Sequence, residues 1–107
     1  MLLIEGWLKL ASGEFAKVRE QALAMVAATN AEDGCLHYSF AQDLADPDLI
    51  RISERWESEE ALGAHMASAH MAEFNKAMGT VKIEGADLWL AAHPAPAPKP
   101  KRTKGGA

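Results

Sequence analysis

An α+β domain of the ferredoxin-like order β-α-β-β-α-β is the fold class this chain predicts, and three observations predict it. Four stretches alternate apolar and other residues with the period of a strand. Two stretches carry apolar residues at helical spacing. Gly, Pro, Asn, Asp and Ser clusters separate them so that one helix follows the first strand and the other follows the third, which is the split β-α-β pattern.

The first strand is read over Leu2 to Ala11, with Leu2, Ile4, Gly6, Leu8 and Leu10 on one face and Leu3, Glu5, Trp7, Lys9 and Ala11 on the other. Both faces are substantially apolar, so both need a cover. Ser12-Gly13 breaks the strand, and Ser12 is a candidate N-cap for a helix running to Thr29. At about 100° per residue, Phe15, Val18, Ala22, Leu23, Met25 and Val26 share its apolar face. Asn30 to Gly34 is a turn cluster.

Cys35 to Gln42 alternates next, setting Leu36, Tyr38 and Phe40 against Cys35, His37, Ser39 and Ala41. The connection Asp43 to Asp48 holds Pro47 in a turn, and Leu49 to Trp56 is the returning strand. On that strand Glu54 lies in line with Ile50, Ile52 and Trp56, so a carboxylate interrupts an apolar row. Local inconsistencies of this kind tend to sit at functional or strained places.

The second helical stretch runs from Glu59 to Met78, with a break expected near Gly63. Ser58 supplies a hydroxyl at its start, and Glu59 and Glu60 suit the first turn of the helix dipole, although Ala61 does not complete a capping box. Met66, Ala67, His70, Phe74, Ala77 and Met78 cluster on the core side. On a regular helix His65 and His70 stand about 140° apart, too far for a shared metal, so no metal site is expected. After Gly79 the last strand is read from Val81 to Ala92. The domain is therefore placed at residues 1–92, and the Pro- and Lys-rich segment 93–107 is expected to be a disordered tail.

Charge narrows the partners. The net charge is −4, with eleven Lys and Arg against fifteen Asp and Glu. Four of the basic residues, Lys99, Lys101, Arg102 and Lys104, lie in the tail, so the body has seven against fifteen, a net −8. A body that acidic argues against nucleic acid, which demands a basic footprint. No apolar run approaches the roughly 18 residues of a membrane span, and no signal-peptide pattern is present, so no membrane partner and a cytoplasmic location are expected. The lone Cys35 excludes an internal disulfide, and nothing near it in sequence activates it as a nucleophile. Two helices can cover one face of a four-stranded sheet, so the other face predicts a homodimer.

With these elements in place, E-D-G-C-L-H-Y (Glu32 to Tyr38), D-P-D (Asp46 to Asp48) and E-R-W-x-S-x-E-A-L-x-x-H-x-x-x-x-H-x-x-x-F (Glu54 to Phe74) together resemble the antibiotic biosynthesis monooxygenase domain family over residues 2 to 91. Within it, the chain is most similar to the small quinol-monooxygenase-like members. The resemblance implies a dimeric α/β barrel with a pocket between sheet and helices. It also implies oxidation of a small aromatic by O₂ with no cofactor, because a deprotonated hydroquinone can itself donate an electron to O₂. Haem-degrading proteins belong to the same family, as do members without an assigned role, so a ligand-binding or dimerisation module is the alternative. No asparagine of this chain stands out as the polar activator some members use, Asn30 falling in a turn and Asn75 on the outer half of a helix.

Such chemistry needs a base, a donor for developing charge and an apolar wall. His70, Glu54 and His65 are the candidate catalytic residues. Two roles are open to His70: a core histidine bonded to a strand or to Glu54, or an acid/base at a pocket wall. His65 can brace Glu54, and Glu54, if burial raises its pKa, can itself be the base. Tyr38, Trp56, Phe74 and Met66 are the candidate substrate-binding residues. His37, opposite Tyr38, is expected to look toward the dimer partner.

Overall fold

A computed structural model describes residues 1–94; the tail expectation falls, from residue 95 on, outside the described residues. The element order is β1 (Leu2–Leu10), a short 3₁₀ turn (Glu14–Lys17), α1 (Arg19–Asn30), β2 (Cys35–Gln42), β3 (Leu49–Trp56), α2 (Glu59–Met66), α3 (Ala69–Met78) and β4 (Ile83–Ala92). The four strands form one antiparallel sheet in the order β2-β3-β1-β4. This is the expected ferredoxin-like α+β fold. None of its helices is long and apolar enough to cross a membrane.

The registers fix which side chains share a face. Tyr38 stands opposite Glu54 and Ile4 opposite Glu54 from the other side, while Phe40 and Gly6 flank Ile52. This row faces the helices, where Leu2, Tyr38, Trp56, Ala22, Met25 and Phe74 form the buried core. Alternation on β2 fails at one end, because a bulge between Cys35 and His37 sets Cys35 opposite Trp56. The extra residue flips the pleat, so Cys35 packs against the core instead of sharing a face with the exposed His37.

Three further expectations are corrected. The first helix opens as a 3₁₀ turn after the left-handed Gly13 (φ 76°), with Gly13 rather than Ser12 at its cap position. Leu23 on α1 is more than half exposed, at a space between α1 and the sheet that no side chain fills. The break in the second helical stretch lies at Ala67–Ser68, not near Gly63. Ser68 causes it: its hydroxyl donates to the His65 carbonyl (2.7 Å) and accepts from the Met71 amide (3.2 Å), closing α2 and capping α3 at once. Met66 and Ala67, read from a continuous helix as core-facing, are exposed as a result.

The helices cover β2, β3 and β1 and leave β4 bare. No β4 residue joins the core, and Leu88 and Leu90 on the helix side and Trp89 on the opposite side are each more than half exposed. Trp7 lies over Gly85 on that opposite face, where a Cβ at Gly85 would sit 3.3 Å from the indole ring.

Candidate functional site

The polar residues of the core meet where the turn after α1 approaches the α2–α3 break. Glu32 is placed by that turn: its amide donates to the Thr29 carbonyl (3.0 Å), and its carbonyl accepts from the Cys35 amide (3.2 Å). Gly34 lets the turn come close. Its φ of 83° is left-handed, and a Cβ there would stand 2.5 Å from that of Ala61 in the first turn of α2. The Glu57 amide then donates to the Gly34 carbonyl (2.9 Å), and Ser58 caps α2 by accepting from the Ala61 amide (3.1 Å).

One oxygen of Glu32 holds both histidines. Its Oε2 lies 2.7 Å from His65 Nδ1 and 2.8 Å from His70 Nε2. This corrects the regular-helix geometry. Because Ser68 ends one helix and starts another, the phase resets between the two histidines, and their ring centroids come to 5.8 Å. The Glu32, His65 and His70 donor atoms all lie within 4.8 Å of one another. An ionised carboxylate only accepts, so both facing nitrogens carry hydrogen, and in the neutral rings the lone pairs sit on His65 Nε2 and His70 Nδ1.

The surroundings differ for the two rings. His65 is 2% exposed and packs against Trp56 (4.9 Å between centroids) and Tyr38 (5.2 Å). The side chains of His70 and Glu32 are 25% and 15% exposed, so the cluster reaches solvent through them. Glu54 does not bond either histidine, contrary to expectation. Its Oε1 accepts from Trp56 Nε1 (2.9 Å) within the buried row of β3. Burial pushes the Glu54 pKa up, against the lowering effects of the Trp56 bond and of nearby His65. Burial, and then the Glu54 carboxylate, push the Tyr38 phenol far above its ordinary value, so it stays protonated.

The expected pocket walled by Tyr38 and Trp56 is filled. Trp56 is fully buried, Tyr38 and Phe74 nearly so, and their faces are taken by one another's neighbours: Tyr38 by Phe40, Trp56 and His65, and Phe74 by Phe40. Met66 is 60% exposed and stands outside this group. A hollow of about 150 Å³ does open between α1 and the sheet, lined by Phe15, Arg19, Val26, Phe40, Gln42 and Ile50 among others. It runs from Phe40 to the Gln42–Ile50 pair, which lies four residues or roughly 13 Å along the strands from the Tyr38–Glu54 pair, and the Phe40 ring, 5.3 Å from that of Tyr38, stands between the two. Sequence reasoning missed Glu32 as a site residue, although it stood at the head of the E-D-G-C-L-H-Y motif.

Comparisons with known proteins agree with this architecture. No curated protein is similar to the chain at a significant level. Among solved structures, one described as an antibiotic biosynthesis monooxygenase is 22% identical, with 87% of this chain and 98% of that chain covered and a TM-score of 0.80. A Pseudomonas aeruginosa protein is 25% identical over 86% of this chain and 92% of that one, with a TM-score of 0.77. A Mycobacterium tuberculosis protein is 21% identical over 94% and 98%, with a TM-score of 0.76. The sequence profile of the antibiotic biosynthesis monooxygenase family matches residues 1–77, which is most of the chain, and the chain belongs to that family.

Proposed function

We propose that the protein is a monooxygenase that oxidises a small quinol-like or polyphenolic aromatic with O₂ and without a cofactor, using the histidine pair on Glu32 as its proton acceptor. The observation that carries this reading is the shared Glu32 oxygen at 2.7 and 2.8 Å from His65 and His70. It presents the lone pair of His70 Nδ1 at the partly exposed edge of an otherwise aromatic core. A phenolic hydroxyl docked there gives its proton to Nδ1, and the imidazolium that forms is stabilised by the Glu32 carboxylate. The substrate anion is then electron-rich enough to reduce O₂. For a hydroquinone the balance is one ring C–H replaced by C–OH and both original hydroxyls oxidised to carbonyls, with the second oxygen atom leaving as water. Tyr38 and Trp56 hold His65 in place in this scheme and do not themselves wall an open pocket.

A homodimer accompanies the proposal. Leu88, Trp89 and Leu90 give β4 apolar side chains on both faces that no helix covers, which supports a second copy as the cover. Sedimentation at micromolar concentration is expected to find a species of twice 11.5 kDa.

The filled core favours one other reading, a ligand-binding or dimerisation module that turns nothing over. Anaerobic mixing with a panel of one-ring and fused-ring hydroquinones, followed by O₂ and measurement of uptake, separates the two. Uptake above a protein-free control supports the monooxygenase. Binding with no uptake across the panel supports the module.

A further inference from the structure

We infer that Glu32, His65 and His70 form a binding site for a transition-metal dication of the zinc class. Two imidazole nitrogens and a carboxylate oxygen converge from three separate parts of the chain, the turn after α1, α2 and α3, with all three donor atoms within 4.8 Å of one another. Zinc bound to such a set keeps its ligands about 2.0 to 2.2 Å away, so tetrahedral ligands stand about 3.3 Å apart. The two Glu32 contacts of 2.7 and 2.8 Å must open by about half an ångström to admit the ion, and the imidazole nitrogens, within 4.8 Å of each other, must close by up to about 1.5 Å. Rotation of the partly exposed His70 and Glu32 side chains about the fixed, buried His65 ring accomplishes both.

The donor set selects the ion. Two nitrogens and one oxygen suit zinc, cobalt, nickel or copper, whereas calcium and magnesium demand oxygen ligands. The supporting shell is already built. Tyr38 and Trp56 hold the His65 ring, Ser68 anchors the His65 carbonyl, and the Gly34 turn fixes the height of Glu32 against α2. Partial exposure of Glu32 and His70 gives the ion a way in and leaves at least one coordination position facing solvent. The acidic body draws cations toward it.

Binding also has a chemical consequence at His70. Coordination through Nε2 uses the lone pair of that nitrogen, so in the neutral ring the proton moves to Nδ1. The same ring cannot hold the ion and offer Nδ1 as a proton acceptor. The ion therefore occupies the site in place of the proton-accepting arrangement, although its binding does not depend on the oxidation proposed above.

The test is calorimetric titration of chelator-treated full-length protein with Zn²⁺, beside the variants Glu32→Gln and His70→Gln. Both positions are partly exposed, and both replacements keep side-chain size, so folding is checked by circular dichroism of the metal-free forms. The expected result is one saturable Zn²⁺ per chain, not displaced by millimolar Mg²⁺, with affinity falling about 100-fold in each variant. Nitrogen-15 NMR of the imidazoles is expected to show the His70 proton moving from Nε2 to Nδ1 on loading. Absence of saturable binding, or binding that either variant weakens by less than ten-fold, overturns the proposal, since the ion would then sit elsewhere.

Discussion

The two ends of the β2–β3 strand pair are built for different things. At the Tyr38–Glu54 end the helix-facing side is closed and polar at its centre: Trp56, Tyr38 and His65 are buried, two carboxylates stand nearby, and of the polar cluster His70 and Glu32 are the more exposed members. At the Gln42–Ile50 end, four residues away, the same pair faces an open and largely apolar hollow. Chemistry and space are therefore separated. The groups able to move a proton sit where there is no room, and the room lies where Arg19 and Gln42 are the polar groups. A substrate reaching the histidines must approach over the exposed His70 edge rather than through the hollow.

Stability should show the same contrast. Trp56→Ala removes a fully buried indole and the donor to Glu54, and is expected to cost about 3–5 kcal/mol by urea denaturation. Phe40→Ala, next to the hollow and only partly buried, is expected to cost clearly less than Trp56→Ala in the same experiment. Equal losses at the two positions would mean that the two ends are packed alike.

Ser68→Ala attacks the device that brings the histidines together. It removes the α3 cap and is expected to cost about 1 kcal/mol. It should also lengthen the separation of the two rings, which NMR contacts between His65 and His70 would report. A variant with unchanged stability and unchanged ring contacts would show that the break holds without the hydroxyl.

The smallest effect concerns Glu54, and its sign follows from linkage. Its pKa is raised in the folded protein, chiefly by burial, so folding favours the neutral acid. Stability is therefore lost as pH rises above the ordinary value of 4.5 and through the raised folded value, and the loss is complete at higher pH. Glu54→Gln keeps an acceptor for Trp56 Nε1 without a charge. It is expected to raise the melting temperature at neutral pH, with the gain disappearing below pH 4.5. A lower melting temperature at neutral pH would mean that the charged form is stabilised, as the attraction to His65 would do if it outweighed burial.

Much of this was legible from residues alone, and the remainder shows what alternation and spacing omit. The bounds of Cys35–Gln42 and Leu49–Trp56 are readable to the residue because the Asn30–Gly34 and Asp43–Asp48 turn clusters mark them, although the bulge at Cys35 breaks the alternation itself. Glu54 announced itself as a carboxylate in an apolar row. Glu32 did not, because its partners are 33 and 38 residues away and only the tertiary approach of a turn to a helix break unites them. That break had a signal, the Ser68 hydroxyl three residues before Met71, but the continuous apolar spacing across it suggested one helix. Periodicity also gives the face of a side chain and not its cover, so alternation alone does not tell that Leu88 and Leu90 of β4 stand bare.

The central claim is that the Glu32-held histidine pair accepts the substrate proton. It is tested most directly by oxygen uptake with whichever hydroquinone the wild-type protein turns over, measured in parallel for wild type, His70→Ala and Glu32→Gln, with the melting temperature of each recorded. Both variants are expected to stay folded and to lose about 10²- to 10⁴-fold in rate, the usual worth of a general base. Folded variants that take up oxygen at the wild-type rate would contradict it.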